Sequence, residues 1–415
     1  MSSQRVVVTG IGVVSPNGLG AAAFTSALEH GISGIDWIPS LAKAPIQTRF
    51  GGALKTFHPP DIMDARDLRR VPRIVPMALS AAREAMAMAD VAVPPESDLA
   101  GNIGVILGSG GGAAEFMESQ YRAFFTDEGK ISPFGVSAAT GGGASSEISI
   151  ALGLHGPSHV ISNGCASSTD AIGYALWHIQ RQNTPMMLAG GADAPITPAI
   201  IGGFELMRVL AGPVDPIQRA SRPFSRDRQG FVLAEGAWMF VLEDYRHARA
   251  RGARILAEVL GWASTCDAFH RVQPAPDAAQ SARAMQLAMT DAGVSPQQIQ
   301  YVNLHGTGTV LNDRLETMAI HKCFGRHAGN IPMSSTKSMI GHPQGACGAA
   351  GLAATILSLR QGFIAPTLNL IDPAPECDLD YVPTHARPTD ATLALCNCIA
   401  FGSKNSALVV RVLKD

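Results

Sequence analysis

Cys165 stands in Ser162-Asn163-Gly164-Cys165-Ala166-Ser167-Ser168, after a segment of strand character (157–161) and before a stretch that reads as a helix from Thr169 to Gln180. A thiol there lies at a strand-to-helix turn beside a helix N-terminus. The unpaired N–H groups favour a thiolate, and small neighbours leave the sulfur accessible. Such a thiolate is a nucleophile for a carbonyl carbon. A free cysteine can equally be a small buried hydrophobe, so Cys165 alone does not define a site.

Two of the twelve histidines extend this chemistry. His305 follows the strand-like run Tyr301–Leu304 and opens His305-Gly-Thr-Gly-Thr309, on a glycine-loosened loop. His342 closes Ser335-Thr-Lys337-Ser-Met-Ile-Gly341-His342, just ahead of a helix that begins near Gly345. A histidine at a loop or helix edge can present a neutral Nε2 to a substrate oxygen, or satisfy local backbone groups. Lys337 precedes His342 by five residues, and Glu316 follows His305 by eleven. A Lys337–Glu316 pair would fix charge beside the site; the alternative is a surface ion pair worth ~0–1 kcal/mol.

The elements that must position these groups alternate. Strands are expected at Arg5–Ile11, Gly104–Gly108, Pro185–Gly190, Trp238–Leu242, Ala257–Ala263, Tyr301–Leu304, Leu393–Ile399 and Ala407–Val412. Helices are expected at Ala21–His30, Arg73–Ala89, Thr169–Gln180, Ala278–Asp291, Asp313–Phe324 and Ala349–Gln361. Alternation of this kind favours an α/β layered fold. The two halves also look alike. Each opens on a similar strand, Arg5-Val-Val-Val-Thr-Gly-Ile-Gly12 or Arg254-Ile-Leu-Ala-Glu-Val-Leu-Gly261. Each has an early glycine-rich strand exit, Leu107-Gly-Ser-Gly-Gly-Gly112 or Leu304-His-Gly-Thr-Gly-Thr309. Each then has a small-residue turn into an apolar helix, Gly164-Cys165-Ala166 or Gly345-Ala-Cys-Gly-Ala-Ala350. Duplication of one α/β unit is the expectation, with an N-terminal half at 1–252 carrying the cysteine and a C-terminal half at 253–415 carrying the histidines.

Composition narrows the class. The 32 basic and 34 acidic side chains give a formal charge of −2, which argues against a surface built for nucleic acid. Seven cysteines without a CxxC pair suit a reducing compartment better than a disulfide scaffold or a zinc site. No apolar run reaches membrane-spanning length, and the first ten residues do not read as a signal peptide. A cytoplasmic protein with no membrane partner is expected.

Taken together, these segments resemble the elongating β-ketoacyl-acyl-carrier-protein synthases, condensing enzymes of the thiolase fold. The likeness runs from Arg5–Gly12 through Arg222-Pro-Phe-Ser-Arg-Asp-Arg-Gln-Gly230 to Phe401-Gly402-Ser403-Lys404-Asn405. It implies a five-layered α-β-α-β-α thiolase-like fold from two duplicated halves, and a Cys165-His305-His342 site. Lys337 matches the family's electrostatic lysine and Glu316 the acid that holds it. The implied reaction is a decarboxylative Claisen condensation. Cys165 takes an acyl group, the amides of Cys165 and Phe401 hold the oxyanion, and the histidines assist loss of carbon dioxide from malonyl on a carrier protein. No metal or other cofactor is implied; both substrates ride on carrier phosphopantetheine. Phe401 and Gly402 match the family's gating loop, although Gly402-Ser403-Lys404-Asn405 departs from the usual Gly-Gly-Thr-Asn. Asp267, in Cys266-Asp267-Ala268-Phe269-His270, matches a second gating loop.

Pocket shape is this chain's own. Gly111 and Gly135 stand where fatty-acid members carry bulky side chains along the acyl tunnel. An opened tunnel predicts a long, rigid, polyunsaturated or aryl-bearing primer, as in type II polyketide or aryl-polyene pathways, unless Phe116 or Met117 repacks the space. Arg66, Arg69, Arg70 and Arg73, with Arg208, are expected to steer an acidic carrier. The resemblance also implies a homodimer, or a heterodimer with a homologous ketosynthase or chain-length factor. Two alternatives stand beside it. One is a coenzyme A-dependent thiolase, for which Cys396 or Cys398 would supply a second cysteine. The other is a non-catalytic chain-length partner, against which Cys165 speaks.

Overall fold

The computed structural model describes residues 4–126, 129–182, 184–402 and 404–414. Among the described residues, ten of the eleven strands of the main sheet form two units of five. The first unit holds β1 (Val6–Ser15), β2 (Ile103–Gly108), β3 (Ser158–Ile161), β4 (Met186–Asp193) and β5 (Gly236–Asp244), in the order β3-β2-β4-β5-β1. The second holds β6 (Ala257–Cys266), β7 (Tyr301–Asn303), β8 (Met333–Ser334), β9 (Leu393–Ala400) and β10 (Lys404–Val412), in the order β8-β7-β9-β10-β6. Strand order and direction repeat in full. β2 runs parallel to β3 and β4, and β5 antiparallel to β4 and β1. β7 runs parallel to β8 and β9, and β10 antiparallel to β9 and β6. The units join where β1 pairs with β6, Val6 facing Val259 and Val8 facing Ala257.

Burial explains the layering. β1, β2 and β4 are buried along their whole length, as strands covered on both faces must be. Helices α1 (Ile74–Met88) and α2 (Gly143–Leu152) cover the outer face of the first unit, packing Met77, Ala81 and Ile148 against Val105, Leu188 and Met239. Helices α3 (Ser167–Gln182) and α6 (Cys347–Arg360) lie between the units, where Ile172, Leu176 and Ile356 share one core with Phe240, Val259 and Leu408. Helices α4 (Ala279–Asp291) and α5 (Val310–Phe324) cover the outer face of the second unit through Met285, Leu315 and Ile320. The result is helix, sheet, helix, sheet, helix: the thiolase-like five-layered fold. The central helices approach closely because Gly348 has no side chain; a Cβ there would lie 2.0 Å from Thr169 Oγ1. Among the described residues, no helix is long and apolar enough to cross a membrane.

Candidate active site

Cys165 lies between β3 and α3, on a turn that Gly164 enters at φ 74°, a conformation favourable to glycine. Ser167 closes the turn, its hydroxyl accepting from Asn163 N–H and donating to Gly164 O. The side chain is only 5% exposed, contrary to the accessible thiolate expected from the sequence. Burial pushes the Cys165 thiol well above its ordinary range, and neighbouring Cys347 adds to that. Lys337 and the Phe401 N–H pull the other way without reversing it. A thiol held in this way must give up its proton before its sulfur can attack a carbonyl carbon.

Two imidazoles stand ready beside it. One nitrogen of His305, one of His342 and Cys165 Sγ lie within 4.8 Å of one another. The rings sit 5.3 Å apart at 85°. Burial, and then the Lys337 charge, hold both histidines well below their ordinary pKa, so both are neutral. Their surroundings differ. His342 is held by backbone bonds to Val232 and Ala234, and its Nδ1 accepts the Gln344 N–H at 3.0 Å. A neutral ring that accepts at Nδ1 carries its proton on Nε2, so His342 is a donor. His305 has no such anchor on Nδ1; that atom faces the thiols of Cys398 and Cys347, at 3.6 and 4.0 Å.

The loop of His305 is tied down by hydrogen bonds. Two carboxylates one turn apart on α5 gather its amides. Glu316 accepts from His305 N–H and Gly306 N–H, both at 2.7 Å, and from the Asn397 amide at 2.6 Å. Asp313 accepts from Thr307, Gly308 and Phe224 N–H groups. Burial pushes the Glu316 and Asp313 carboxyls up, and these N–H donors oppose it. The glycines make the loop possible: Gly308 has φ 85°, and a Cβ on Gly306 would lie 2.5 Å from Ser335 Cβ. Glu316 thus holds the histidine loop, and no Lys337–Glu316 ion pair forms among the described residues. Lys337, buried at the start of the short helix Lys337–Ile340, acts on the site through its field. Asp313 went unremarked in the sequence; a second acid three residues before Glu316 on the same helix was its signal.

Cys165, His305 and His342 line a cavity of about 200 Å³ together with Phe231, Thr307 and Phe401. Half-exposed Met207 and exposed Gln273 mark its mouth. Phe401 packs toward Phe204, with ring centroids 6.4 Å apart, and Gly402 turns at φ 81°. Ser403 of the gating motif lies outside the described residues. Asp267 ties the two candidate gates together, accepting from Ala275 N–H on one loop and from the Asn405 amide on the other, both at 2.8 Å. Cys398 lies behind His305 and does not line the cavity, and Cys396 is turned toward Thr355 Oγ1 at 3.5 Å.

A second cavity, of about 250 Å³, is lined by Gly111, Met117, Ala138, Thr140, Ala144 and Ser162. Gly111 faces it; a Cβ there would meet only Asp193 Oδ1, at 3.4 Å. Gly135 starts the helix Gly135–Ala139 and does not line the cavity, and a Cβ on it would meet nothing within 4 Å of its own subunit. Phe116 is buried, and Met117 fills part of the wall. The arginines separate into two kinds. Arg66, Arg69 and Arg208 are exposed. Arg70 pairs with Asp67 and lies over the Phe134 ring. Arg73 leaves the expected docking set: both its Nε and Nη2 are bound by Glu235 at 2.8 Å, 30% exposed, so it serves the fold.

A duplicated five-layer fold with one cysteine facing two neutral histidines defines a thiolase-type condensing enzyme. Family comparison agrees. Residues 3–248 match the model for the β-ketoacyl synthase N-terminal domain, and residues 256–371 that for the β-ketoacyl synthase C-terminal domain. The chain is 40% identical over 411 residues to 3-oxoacyl-[acyl-carrier-protein] synthase 2 of Staphylococcus aureus (strain COL), covering 99% of this chain and 98% of that one. It is 38% identical over 413 residues to the protein of the same name from Synechocystis sp., covering 99% of each. Among solved structures, the ishigamide ketosynthase/chain length factor superposes with a TM-score of 0.92 at 32% identity, over 99% of this chain and 100% of that one. A β-ketoacyl synthase from Burkholderia phymatum STM815 gives 0.91 at 34%, with the same coverage. A type II polyketide ketosynthase solved with its acyl-carrier protein, bound to the hexaketide, gives 0.90 at 32% over 100% of both chains. This chain belongs to the β-ketoacyl synthase family and is an acyltransferase of the condensing class.

Proposed function

We propose that the chain joins an acyl group held on Cys165 to malonyl carried by an acyl-carrier protein, releasing carbon dioxide and a 3-ketoacyl-carrier product. The observation that carries this reading is the meeting of Cys165 Sγ with His305 and His342 in one cavity. The acyl thioester carbonyl is attacked by Cys165 as its proton passes to His305, since His342 already carries its proton on Nε2. The oxyanion is held by the Cys165 and Phe401 amides, two residues that line the same cavity. The carrier thiol leaves with the proton from His305. The malonyl thioester then enters, the His305 ring proton shifts from Nδ1 to Nε2, and both histidines donate from Nε2 to its carbonyl oxygen while the C–CO2 bond breaks. The resulting enolate attacks acyl-Cys165, the carbonyl re-forms as the thiolate departs, and a solvent proton returns Cys165 to the thiol. His305 serves in both steps because its Nδ1 is not tied to a backbone amide; the His342 tautomer is fixed. Holding one substrate covalently makes the second step effectively unimolecular.

The acyl chain would pass toward the cavity behind Gly111, whose wall of small residues suits a long, rigid, polyunsaturated or aryl-bearing primer better than a saturated medium chain. Arg66, Arg69 and Arg208 offer cationic contacts to an acidic carrier. A dimer with a second copy or a chain-length factor would adjoin Gly135, beside exposed Phe134 and Val136. Incubating the enzyme with a panel of acyl-carrier substrates and weighing the acyl-enzyme by mass spectrometry tests the reading. Acylation should map to Cys165 and favour unsaturated or aryl chains. Acylation of the Cys165→Ala variant at another residue would refute the mechanism, and a preference for saturated C6–C12 chains would refute the primer assignment.

A further inference from the structure

Behind the catalytic cysteine lies a second sulfur cluster that the condensation does not use. Cys347 opens α6 and Cys398 sits on β9; both are buried and both are free thiols. Their sulfurs are 3.6 Å apart. His305 Nδ1 lies 3.6 Å from Cys398 Sγ and 4.0 Å from Cys347 Sγ. Both thiols also reach the Cys165 carbonyl oxygen, at 3.1 and 3.2 Å. A tetrahedral zinc ion with sulfur at 2.3 Å and imidazole nitrogen at 2.0–2.1 Å separates two sulfurs by about 3.8 Å and sulfur from nitrogen by about 3.6 Å. The three donors already stand within a few tenths of an ångström of those separations, with a carbonyl oxygen beside them as a fourth.

We propose that Cys347, Cys398 and His305 Nδ1 form a binding site for a thiophilic divalent cation of the zinc type, distinct from the Cys165-His305-His342 site. Binding displaces one proton from each thiol and places no net charge in the core, because two thiolates balance the cation. Its consequence rests on the function proposed above. A cation on Nδ1 fixes the remaining ring proton of His305 on Nε2. His305 then stays a donor to the malonyl carbonyl but can no longer take the Cys165 proton. The loaded enzyme should decarboxylate malonyl-carrier protein while failing to acylate Cys165.

The test uses the full chain, stripped with a chelator and then titrated with Co²⁺ or Cd²⁺. Thiolate-to-metal charge-transfer absorption and the metal retained after gel filtration are read directly. One ion per chain is expected in the wild type and in Cys165→Ser, and at least a tenfold weaker affinity in Cys347→Ala and in Cys398→Ala. Loss of binding in Cys165→Ser with retention in the other two variants would assign the ion to the catalytic triad and overturn the proposal; so would no retained ion in the wild type. Should either alanine variant fail to fold, X-ray absorption on the loaded wild type decides: two sulfur and one nitrogen ligands support the site, and one sulfur with two nitrogens refutes it. The metal readout stands apart from the condensation reading, which fails separately if the metal-free enzyme does not acylate Cys165.

Discussion

The two five-strand units share strand order and direction, yet they put different chemistry at equivalent places. The first unit enters its central helix α3 through Cys165, and the second enters α6 through His342 and Cys347. The exit of β2 is glycine, Gly110-Gly111-Gly112; the exit of β7 carries His305. Each exit is gathered by buried carboxylate. In the first unit Asp193, at the end of β4, accepts from Ser109 Oγ and from the Gly110, Gly111 and Gly345 amides. In the second, Glu316 and Asp313 do so from α5. The comparison teaches a division of labour. Duplication brings the same loop ends of both units to the central layer. One unit then carries Cys165 and the cavity beside Gly111, and the other carries His342 and, on a clamped loop, His305. Asp193 crosses between them, since Gly345 belongs to the second unit.

The largest break in this arrangement is removal of the one nucleophile. Cys165→Ala should lower condensation by a factor on the order of 10³ or more and abolish the acyl-enzyme by mass spectrometry. Its folding should change little, because a small buried side chain is replaced by a slightly smaller one. Decarboxylation of malonyl-carrier protein depends on the second unit and should persist.

The clamps come next. Glu316→Ala strands three buried N–H donors, each worth ~1–3 kcal/mol when unsatisfied. Partial access of water would leave a net destabilisation of roughly 2–4 kcal/mol in denaturant unfolding, with decarboxylation lost because His305 loses its position. Asp193→Ala strands one hydroxyl and three amides and should cost a similar amount. Its signature should differ, with acylation falling alongside decarboxylation, because it anchors both units. Equal profiles for the two variants would break the proposed division.

Gly111→Ile sharpens the assignment of the acyl cavity. A Cβ there meets only Asp193 Oδ1, at ordinary contact distance, so the fold should tolerate it, and the added atoms fill the cavity lined by Met117 and Ala144. Acylation by long or aryl chains should drop about tenfold, the scale of a few misfitted methylenes, with acetyl or butyryl transfer nearly unchanged. An equal drop for all chains would place the acyl group elsewhere.

Much of this was legible in the sequence. Local patterns gave the strands within a few residues. The repeated order of strand, glycine-rich exit and small-residue turn pointed to duplication, because each recurs at the same stage of each half. The triad was legible because Cys165, His305 and His342 each sit at a strand or helix end, where side chains converge. Partnerships across the fold were not. Nothing local distinguishes a Glu316 that binds amides from one that binds Lys337, and Arg73 reads like its neighbours Arg69 and Arg70 until Glu235, 162 residues away, takes both its nitrogens. The burial of Cys165 was illegible for a similar reason. A helix N-terminus is visible in sequence, whereas burial depends on Ala400, Cys398 and Cys347, supplied by the other unit. The two-residue β8 and the helix Gly143–Leu152 carry too short or too polar a pattern to declare themselves.

The smallest expected effect separates the exposed arginines from the ion-paired Arg73. Arg66 and Arg69 are exposed with no carboxylate ion-paired to them among the described residues, so reversing their charge should leave the fold intact. Each reversal weakens attraction to an acidic carrier by an amount typical of rim charges, and a paired Arg66→Glu, Arg69→Glu variant should raise KM for the carrier roughly three- to tenfold with kcat unchanged. The effect should shrink as salt rises from 0.05 to 0.5 M, on the order expected when the screening length falls below the charge separation. Arg73→Ala should do the reverse. It leaves Glu235 half-paired beneath α1, and should lower stability by about 2–3 kcal/mol while hardly altering the salt dependence of KM. If Arg73→Ala changed the salt dependence as strongly as the paired variant, Arg73 would belong to the carrier surface after all, and its bond to Glu235 would be one that the carrier breaks on docking.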